Sequence, residues 1–270
     1  MALLPFQLFQ VFDNPKMGFI GNTSTVLFLD KELSDDTMQR IAADQLQPAT
    51  TFLWKTQKDD EYNVRWFAPD AEIGLCGHGS MAAMAYVHNL TGEKEIKLNY
   101  KTGSVEAEAI DQFSGVLIIE QIHTLPEEPV PNAIKKGLGI PILGFYPTGN
   151  KHIILTDTEK RVREMNPNFS KLRESDVFGY AVTAPGDKVD FVSRTLVPHV
   201  HQLEDPATGS SHAALFPFWG KKLNKADMIA NQLSKRGGTF KGELIQEKIR
   251  LIGSFKTLSE GVIDIDSYKN

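Results

Sequence analysis

The sequence predicts an α+β chain built from two similar halves. Three observations carry that expectation. Short alternating or β-branched runs outnumber helical ones, the pattern of a sheet-rich fold with few helices. One arrangement occurs twice: Arg65-Trp66-Phe67-Ala68-Pro69 leads by a loop to Cys76-Gly77-His78-Gly79-Ser80 and a helix, and Arg194-Thr195-Leu196-Val197-Pro198 leads by a loop to Thr208-Gly209-Ser210-Ser211 and a helix. The copies lie about 130 residues apart, as in an internal repeat. Between them, Leu125-Pro126-Glu127-Glu128-Pro129-Val130-Pro131 reads as a linker, dividing the chain into 1–125 and 126–270, with the last strand able to return to the first half.

The elements follow in order. Phe6 to Phe12 is a strand ended by Asp13-Asn14-Pro15, and Thr25 to Leu29 is the next. Ser34 is a suitable N-cap for a helix through Ala43, because Asp35 and Asp36 favour its positive first turn. Thr50 to Lys55 and Tyr62 to Phe67 are strands, and an unbroken stretch from Met81 to Asn89 is a buried helix. Ile96 to Tyr100, Ser104 to Ala109 and Gly115 to Ile119 form a meander. Past the linker, Asn132 to Gly137 is a short helix, Phe145-Tyr146 opens a strand, and His152 to Thr156, Phe178 to Thr183 and Lys188 to Leu196 are strands. Gly21-Asn22 and Gly149-Asn150 each precede a β-rich run, another echo between the halves. A helix starts near Ser210 and reaches about Gly220, with Pro217 expected to bend it or end it early. Asp227 to Ser234 is strand or helix, Gly237-Gly238 is a turn, and Glu243 to Ile252 and Gly261 to Ile265 close the chain as separate strands.

Composition excludes several functions. At 270 residues, 41% hydrophobic and 23% charged, the chain has the balance of a soluble globular protein. A net charge of −5 draws it to neither nucleic acid nor an anionic membrane. No apolar run approaches the roughly 20 residues that span a bilayer, and the opening Met1 to Phe6 lacks the basic flank of a signal peptide. Cys76 is the one cysteine. An intramolecular disulfide is therefore excluded, and a cytoplasmic location is expected. Seven scattered histidines, with only His199 and His201 as an alternating pair, do not suggest a metal centre.

The stretch from Glu204 to Leu215 is the most informative. Small residues at the predicted helix start leave its first N–H groups open, and those groups suit an anion. Asp205 beside them is placed to move a proton. Glu204-Asp205-Pro206-Ala207-Thr208-Gly209-Ser210-Ser211-His212-Ala213, with Arg65 to Pro69, Cys76-Gly77-His78-Gly79, Gly21-Asn22, the Ile41-Ala42 to Thr51-Phe52 segment and Lys235-Arg236-Gly237-Gly238, resembles the phenazine-biosynthesis-like (PhzF-type) isomerase family over nearly the whole chain. That resemblance implies the diaminopimelate-epimerase-like fold: two similar domains, each a curved, barrel-like mixed sheet around a central helix, with the active site in the cleft between them. It also implies cofactor-independent proton transfer on a small carboxylate or amino-acid-like metabolite, and often a homodimer.

The resemblance assigns roles by position. Asp205 matches the family's second carboxylate, His78 the first-domain histidine and Ser210 the second-domain serine. Gly77 and Gly209 match the glycines whose amides face the substrate, with Gly79 beside them. The principal acid/base, a glutamate, falls on Ala49, and its neighbouring serine on Pro48, so the reference mechanism is not expected. Cys76 occupies the position of a catalytic thiol in related epimerases and racemases, while the second thiol's position is Ala207. The expected site is therefore Asp205 with Cys76 and His78 assisting. A non-catalytic binder of a metabolite or protein, or a dehydratase, stays open. Blander readings also stand: Cys76 as a buried small hydrophobe, Asp205 as a cap or turn residue, His78 as a packed histidine, Ser210 as a simple first-turn residue, His212 as structural, and Asp70 and Glu72 as a solvated loop rather than a substitute for the glutamate.

Overall fold

The computed structural model describes residues 3–149 and 151–269. Asn150, half of the second Gly-Asn pair, and Met1 and Ala2 lie outside the described residues. The chain divides into two compact units. One comprises the chain up to Asp13, Gly21–Ile119 and everything from Ile252, and the other comprises Asn14–Ile20 and Glu120–Leu251.

The first unit contains β1 (Leu3–Val11), β2 (Asn22–Leu29), α1 (Asp35–Gln45), β3 (Ala49–Lys55), β4 (Glu61–Phe67), β5 (Glu72–Ile73), α2 (Gly77–Thr91), β6 (Glu95–Tyr100), β7 (Gly103–Ala109) and β8 (Ser114–Glu120). Its sheet runs β1-β2-β3-β4-β6-β7-β8, and the β2/β3 and β4/β6 pairs are parallel. The terminal strand returns to this sheet. Residues 255 to 264 pair with β1 from Val11 to Leu3, giving the barrel-like closure. Ser34 caps α1 as expected, accepting from the Thr37 N–H at 3.2 Å. Met38, Ile41 and Ala42 of α1 bury against Leu27, Phe52 and Phe67, each large side chain contributing about 1.5–3 kcal/mol. Every residue of α2 from Gly77 to Val87 is buried. That is why its sequence lacks a polar face: the helix packs on β1, β2, β3 and β7.

The second unit contains α3 (Asn132–Leu138), β9 (Gly144–Tyr146), β10 (His152–Leu155), α4 (Glu159–Glu164), α5 (Phe169–Leu172), β11 (Tyr180–Pro185), β12 (Phe191–Val197), β13 (Leu203–Asp205), α6 (Gly209–Leu223), β14 (Asp227–Gln232), β15 (Gly238–Ile245) and the beginning of β16 (Lys248–Asp264). Its order is β9-β10-β11-β12-β14-β15-β16, with β10/β11 and β12/β14 parallel. The two units therefore repeat one topology strand for strand. Even the short strands correspond: β5 pairs with β4, and β13 with β12. Both sheets also carry a glycine where the central helix presses on them. A Cβ on Gly115 would lie 2.2 Å from Met84 Cε, and one on Gly242 would lie 2.4 Å from the Phe216 ring.

Several sequence-based boundaries change. Pro217 neither ends nor shortens α6, which runs to Leu223. The proline removes a donor to Ala213, and the Ile122 N–H takes that carbonyl at 3.0 Å. Asp227–Gln232 is strand, and β15 begins at Gly238, earlier than the residues alone suggest. A turn at Gln246-Glu247 divides the predicted strand Glu243 to Ile252 between β15 and β16, and the later part continues through the predicted Gly261 to Ile265 segment as one strand of 17 residues, Lys248–Asp264. Apolar alternation persists only to Phe255, and the exposed polar residues beyond it concealed the continuation.

Candidate active-site residues

The candidate residues fall into two sets, one in each unit. In the first, α2 begins after Cys76, whose backbone is extended at φ −119° and ψ 99° and whose side chain makes no capping bond. Its carbonyl is fixed by Ser80, which donates from N at 2.9 Å and from Oγ at 2.8 Å. Cys76 is 3% exposed and His78 5% exposed. The sulfur lies 3.6 Å from both ring nitrogens of His78. Equal distances to two atoms on one ring are not the geometry of a single directed S–H···N bond; the pair is in contact without a committed proton path. Gly79 has a packing role: a Cβ there would stand 2.4 Å from Trp66 Cδ1 and 2.6 Å from its Nε1. The Trp66 indole thus lies against the first turn of α2, and its buried N–H has no hydrogen-bond partner among the described residues.

Ala49 is fully buried at the start of β3. Its carbonyl accepts from Ser24 Oγ at 3.0 Å, and Ser24 Oγ is 2.8 Å from Thr51 Oγ1. Hydroxyls stand around the position where the family resemblance calls for a carboxylate. Glu72 does not supply one, and it is not a solvated loop residue either. Arg65 grips it through two bonds of 2.8 Å, and Lys101 reaches it at 2.6 Å. The hydrogen bond from Arg65 is the main cause holding the Glu72 carboxyl below its usual range. Asp70 is exposed.

The second set repeats the first in detail. Thr208 precedes α6 with φ −115° and ψ 99°, again with no side-chain cap, and both helices have 15 residues. Arg194 grips Glu204 at 2.7 and 2.8 Å as Arg65 grips Glu72. Asp205, half-buried, ends β13, and Ala207, Gly209 and Ser210 follow, all buried. The turn is tied by a buried glutamine. Gln232, fully buried, accepts from the Thr208 N–H at 2.8 Å and donates to the Asp205 carbonyl at 2.6 Å and to Thr208 Oγ1 at 3.1 Å. Ser211 is bonded to Thr195 Oγ1 at 3.0 Å. His212 is structural: fully buried, with Nδ1 2.8 Å from the Thr208 carbonyl and its ring stacked on Phe240 at 3.8 Å. Burial pushes its pKa down to about 4, so the ring is neutral.

Two residues here had no sequence signal. Gln232 ends a strand that reads as either strand or helix. Lys151, 7% exposed, donates from Nζ to Ser210 Oγ at 3.1 Å. Its partner is 59 positions away, beyond any local pattern. His199 bonds the Ser175 carbonyl at 2.8 Å, and no group of three metal-ligating side chains occurs among the described residues. A cavity of about 520 Å³ is lined by Ile122, Tyr146, Pro217, Phe218 and Lys222 and by none of the candidate residues.

Comparisons with known proteins agree with this fold. The family model described as phenazine biosynthesis-like protein matches residues 15–261. An uncharacterized isomerase of Halalkalibacterium halodurans is 34% identical over 96% of this chain and 97% of its own. The mouse phenazine biosynthesis-like domain-containing protein 2 is 31% identical over 82% of this chain and 85% of its own. A PhzF-family crystal structure from Enterococcus faecalis superposes with a TM-score of 0.87 at 31% identity, covering 97% of this chain and all of that one. A hydroxyproline epimerase from Agrobacterium vitis shares the fold, with a TM-score of 0.64 at 11% identity over 97% of this chain and 92% of its own.

Proposed function

This chain belongs to the phenazine biosynthesis-like family, and on that footing we propose that it is an isomerase-type enzyme that moves a proton on a small carboxylate or amino-acid-like metabolite. The observation that carries the reading is the pair of matched helix starts. Each is buried, each lacks a side-chain cap, and each opens with a glycine. Such a start presents N–H groups to an anion, and a substrate carboxylate is the anion this chemistry brings. Relatives named isomerase, matching over almost the full chain, support the same reaction class.

In this proposal a helix start of this kind receives the carboxylate, through the amides around Gly77 and Gly79 in the first unit or those around Gly209 and Ser210 in the second. Asp205 removes a proton from carbon and, as the acid, returns one at another position. Charge built up between the two steps is held by the oriented N–H groups. Cys76 and His78 assist, His78 as the second proton carrier. With Thr208 at the position that matches Cys76 in the repeat, and no second cysteine in the chain, a two-thiol racemisation does not fit. The loss of a carboxylate at Ala49 favours a second reading, a family member that binds a metabolite without turning it over.

Solvent exchange separates the two. The protein is incubated in D2O with a set of small hydroxy- and amino-acids, and label at carbon is read by NMR and mass spectrometry. The isomerase reading expects one compound to gain deuterium, with at least a hundredfold loss of rate in Asp205→Asn. Binding without label supports the second reading, and undiminished labelling in the variant removes Asp205 from the mechanism.

A further inference from the structure

We propose that the cavity beside α6 is a second ligand site, one that takes a planar aromatic carboxylate. The repeat supplies the first reason. Helices α2 and α6 have the same length, so Tyr86 and Phe218 are each the tenth residue, and Asn89 and Lys221 each the thirteenth. In the first unit this part of the helix is covered by other side chains. Tyr86 is 7% exposed, stacked on Phe28 at 6.1 Å and edge-on to Phe9 at 6.5 Å, and Asn89 reaches Thr257 of the returning strand at 3.5 Å. In the second unit Phe218 is only half-buried, and the cavity of about 520 Å³ stands against it. That volume is in the range of small-molecule sites.

One wall of the cavity is pinned. Pro217 has no N–H to give the Ala213 carbonyl, and the Ile122 N–H takes it at 3.0 Å. Beside it, the Gln121 side chain donates to the carbonyls of Gln246 and Lys248 at 2.8 and 3.0 Å, and the Leu125 N–H bonds the Pro147 carbonyl at 2.9 Å. The lining then sets the ligand. Tyr146 and Phe218 meet at 5.1 Å with their rings tilted by 57°, so a flat ring can stack on one and meet the edge of the other. The charged side chains that line the space are Lys221, Lys222 and, when protonated, His123. Among the described residues neither lysine has an ion-pair partner. Lys222 Nζ lies 5.0 Å from the centre of the Phe218 ring, which brings its charge to the aromatic floor. Two carboxylates stand nearby without lining the cavity: Glu127 is bonded to the Tyr146 hydroxyl, and Glu247 to His123 at 3.2 Å. A ring that carries a carboxylate satisfies the apolar and the cationic parts of this lining together. A neutral ring or a small aliphatic acid satisfies only one of them. None of the candidate active-site residues lines the cavity, so the assignment does not depend on the isomerase reading.

The test is calorimetric titration of 2-naphthoate, 2-naphthamide and acetate into the native protein and into the double variant Lys221→Gln, Lys222→Gln, with methyl NMR of Ile122 to locate the ligand. Near-ultraviolet circular dichroism verifies that the variant folds. The expected result is one 2-naphthoate per chain, bound at least tenfold more weakly by the variant, with the amide and acetate at least tenfold weaker than the naphthoate in the native protein. The Ile122 δ-methyl resonance should shift along the same saturation curve. Naphthoate that binds both proteins equally, binds no better than its amide, or leaves Ile122 unmoved overturns the assignment. Absence of binding to the native protein overturns it as well; if the native protein is then a dimer that the double variant breaks, the cavity is a contact between copies instead.

Discussion

His212 shows how a single residue in a motif can be structural while its neighbours are candidates for chemistry. Its ring is sealed among Phe191, Phe216 and Phe240. With a folded pKa near 4 against an ordinary 6.5, the unfolded chain binds the extra proton first as the solution is acidified. The neutral ring's contribution is complete above about pH 6.5 and is lost as pH falls toward 4. Between pH 7 and pH 4.5 this amounts to about 2–3 kcal/mol. Urea unfolding at the two pH values should show that loss, and His212→Phe should abolish this part of it. A variant with the same pH dependence as the native protein would mean that other groups carry it. The residues beside His212 divide according to what their side chains touch. Gln232 is occupied with the backbone of the turn, while Lys151 and Ser210 meet across the helix start.

At the scale of elements, the two central helices solve one problem with different side chains. Each lies close to its sheet, and each sheet makes room with a glycine. In the first unit the facing group is the flexible tip of Met84, and in the second it is the rigid ring of Phe216. Gly242→Ala is therefore expected to cost about 1–3 kcal/mol through overpacking, and Gly115→Ala less because methionine can move aside, although the Glu108 carbonyl 3.0 Å from the added Cβ limits that relief. The urea midpoints of the two variants decide the matter, and equal losses would show that the ring also gives way. The helices themselves were legible as unbroken apolar runs. The extent of α6 was not, because the rule that proline stops a helix assumes no other donor for the vacated carbonyl, and Ile122 supplies one.

At the scale of the molecule, the repeat was legible from two short strings, and its depth was not. Arg65 and Arg194 were visible as matched motif residues. That each closes a bidentate pair with a glutamate on a short neighbouring strand depends on strand pairing, which no local pattern reports. The expectation for Ala49 came from the family resemblance, and its surroundings, Ser24 and Thr51, became visible only in the fold. The way the chain divides also bears on how it can be cut. Residues 1–125 lack the strand that pairs with β1 from Leu3 to Val11. A polypeptide of residues 1–125 should remain unfolded in near-ultraviolet circular dichroism, and adding residues 252–270 as a separate peptide should restore signal. Cooperative unfolding by the shorter piece alone would show that the returning strand is dispensable.

That returning strand has a consequence for biosynthesis. The ribosome makes β1 well before its partner, with Leu3 waiting for Asp264. During most of translation one side of β1 has main-chain donors and acceptors with no mate, the kind of edge that recruits other chains. The first unit can complete its sheet only once residues 255–264 have emerged, even though most of its residues appear early. The order of synthesis and the order of assembly therefore run in opposite directions. A nascent-chain binder that shields Leu3–Val11 would raise the folded yield more than one acting on any later strand.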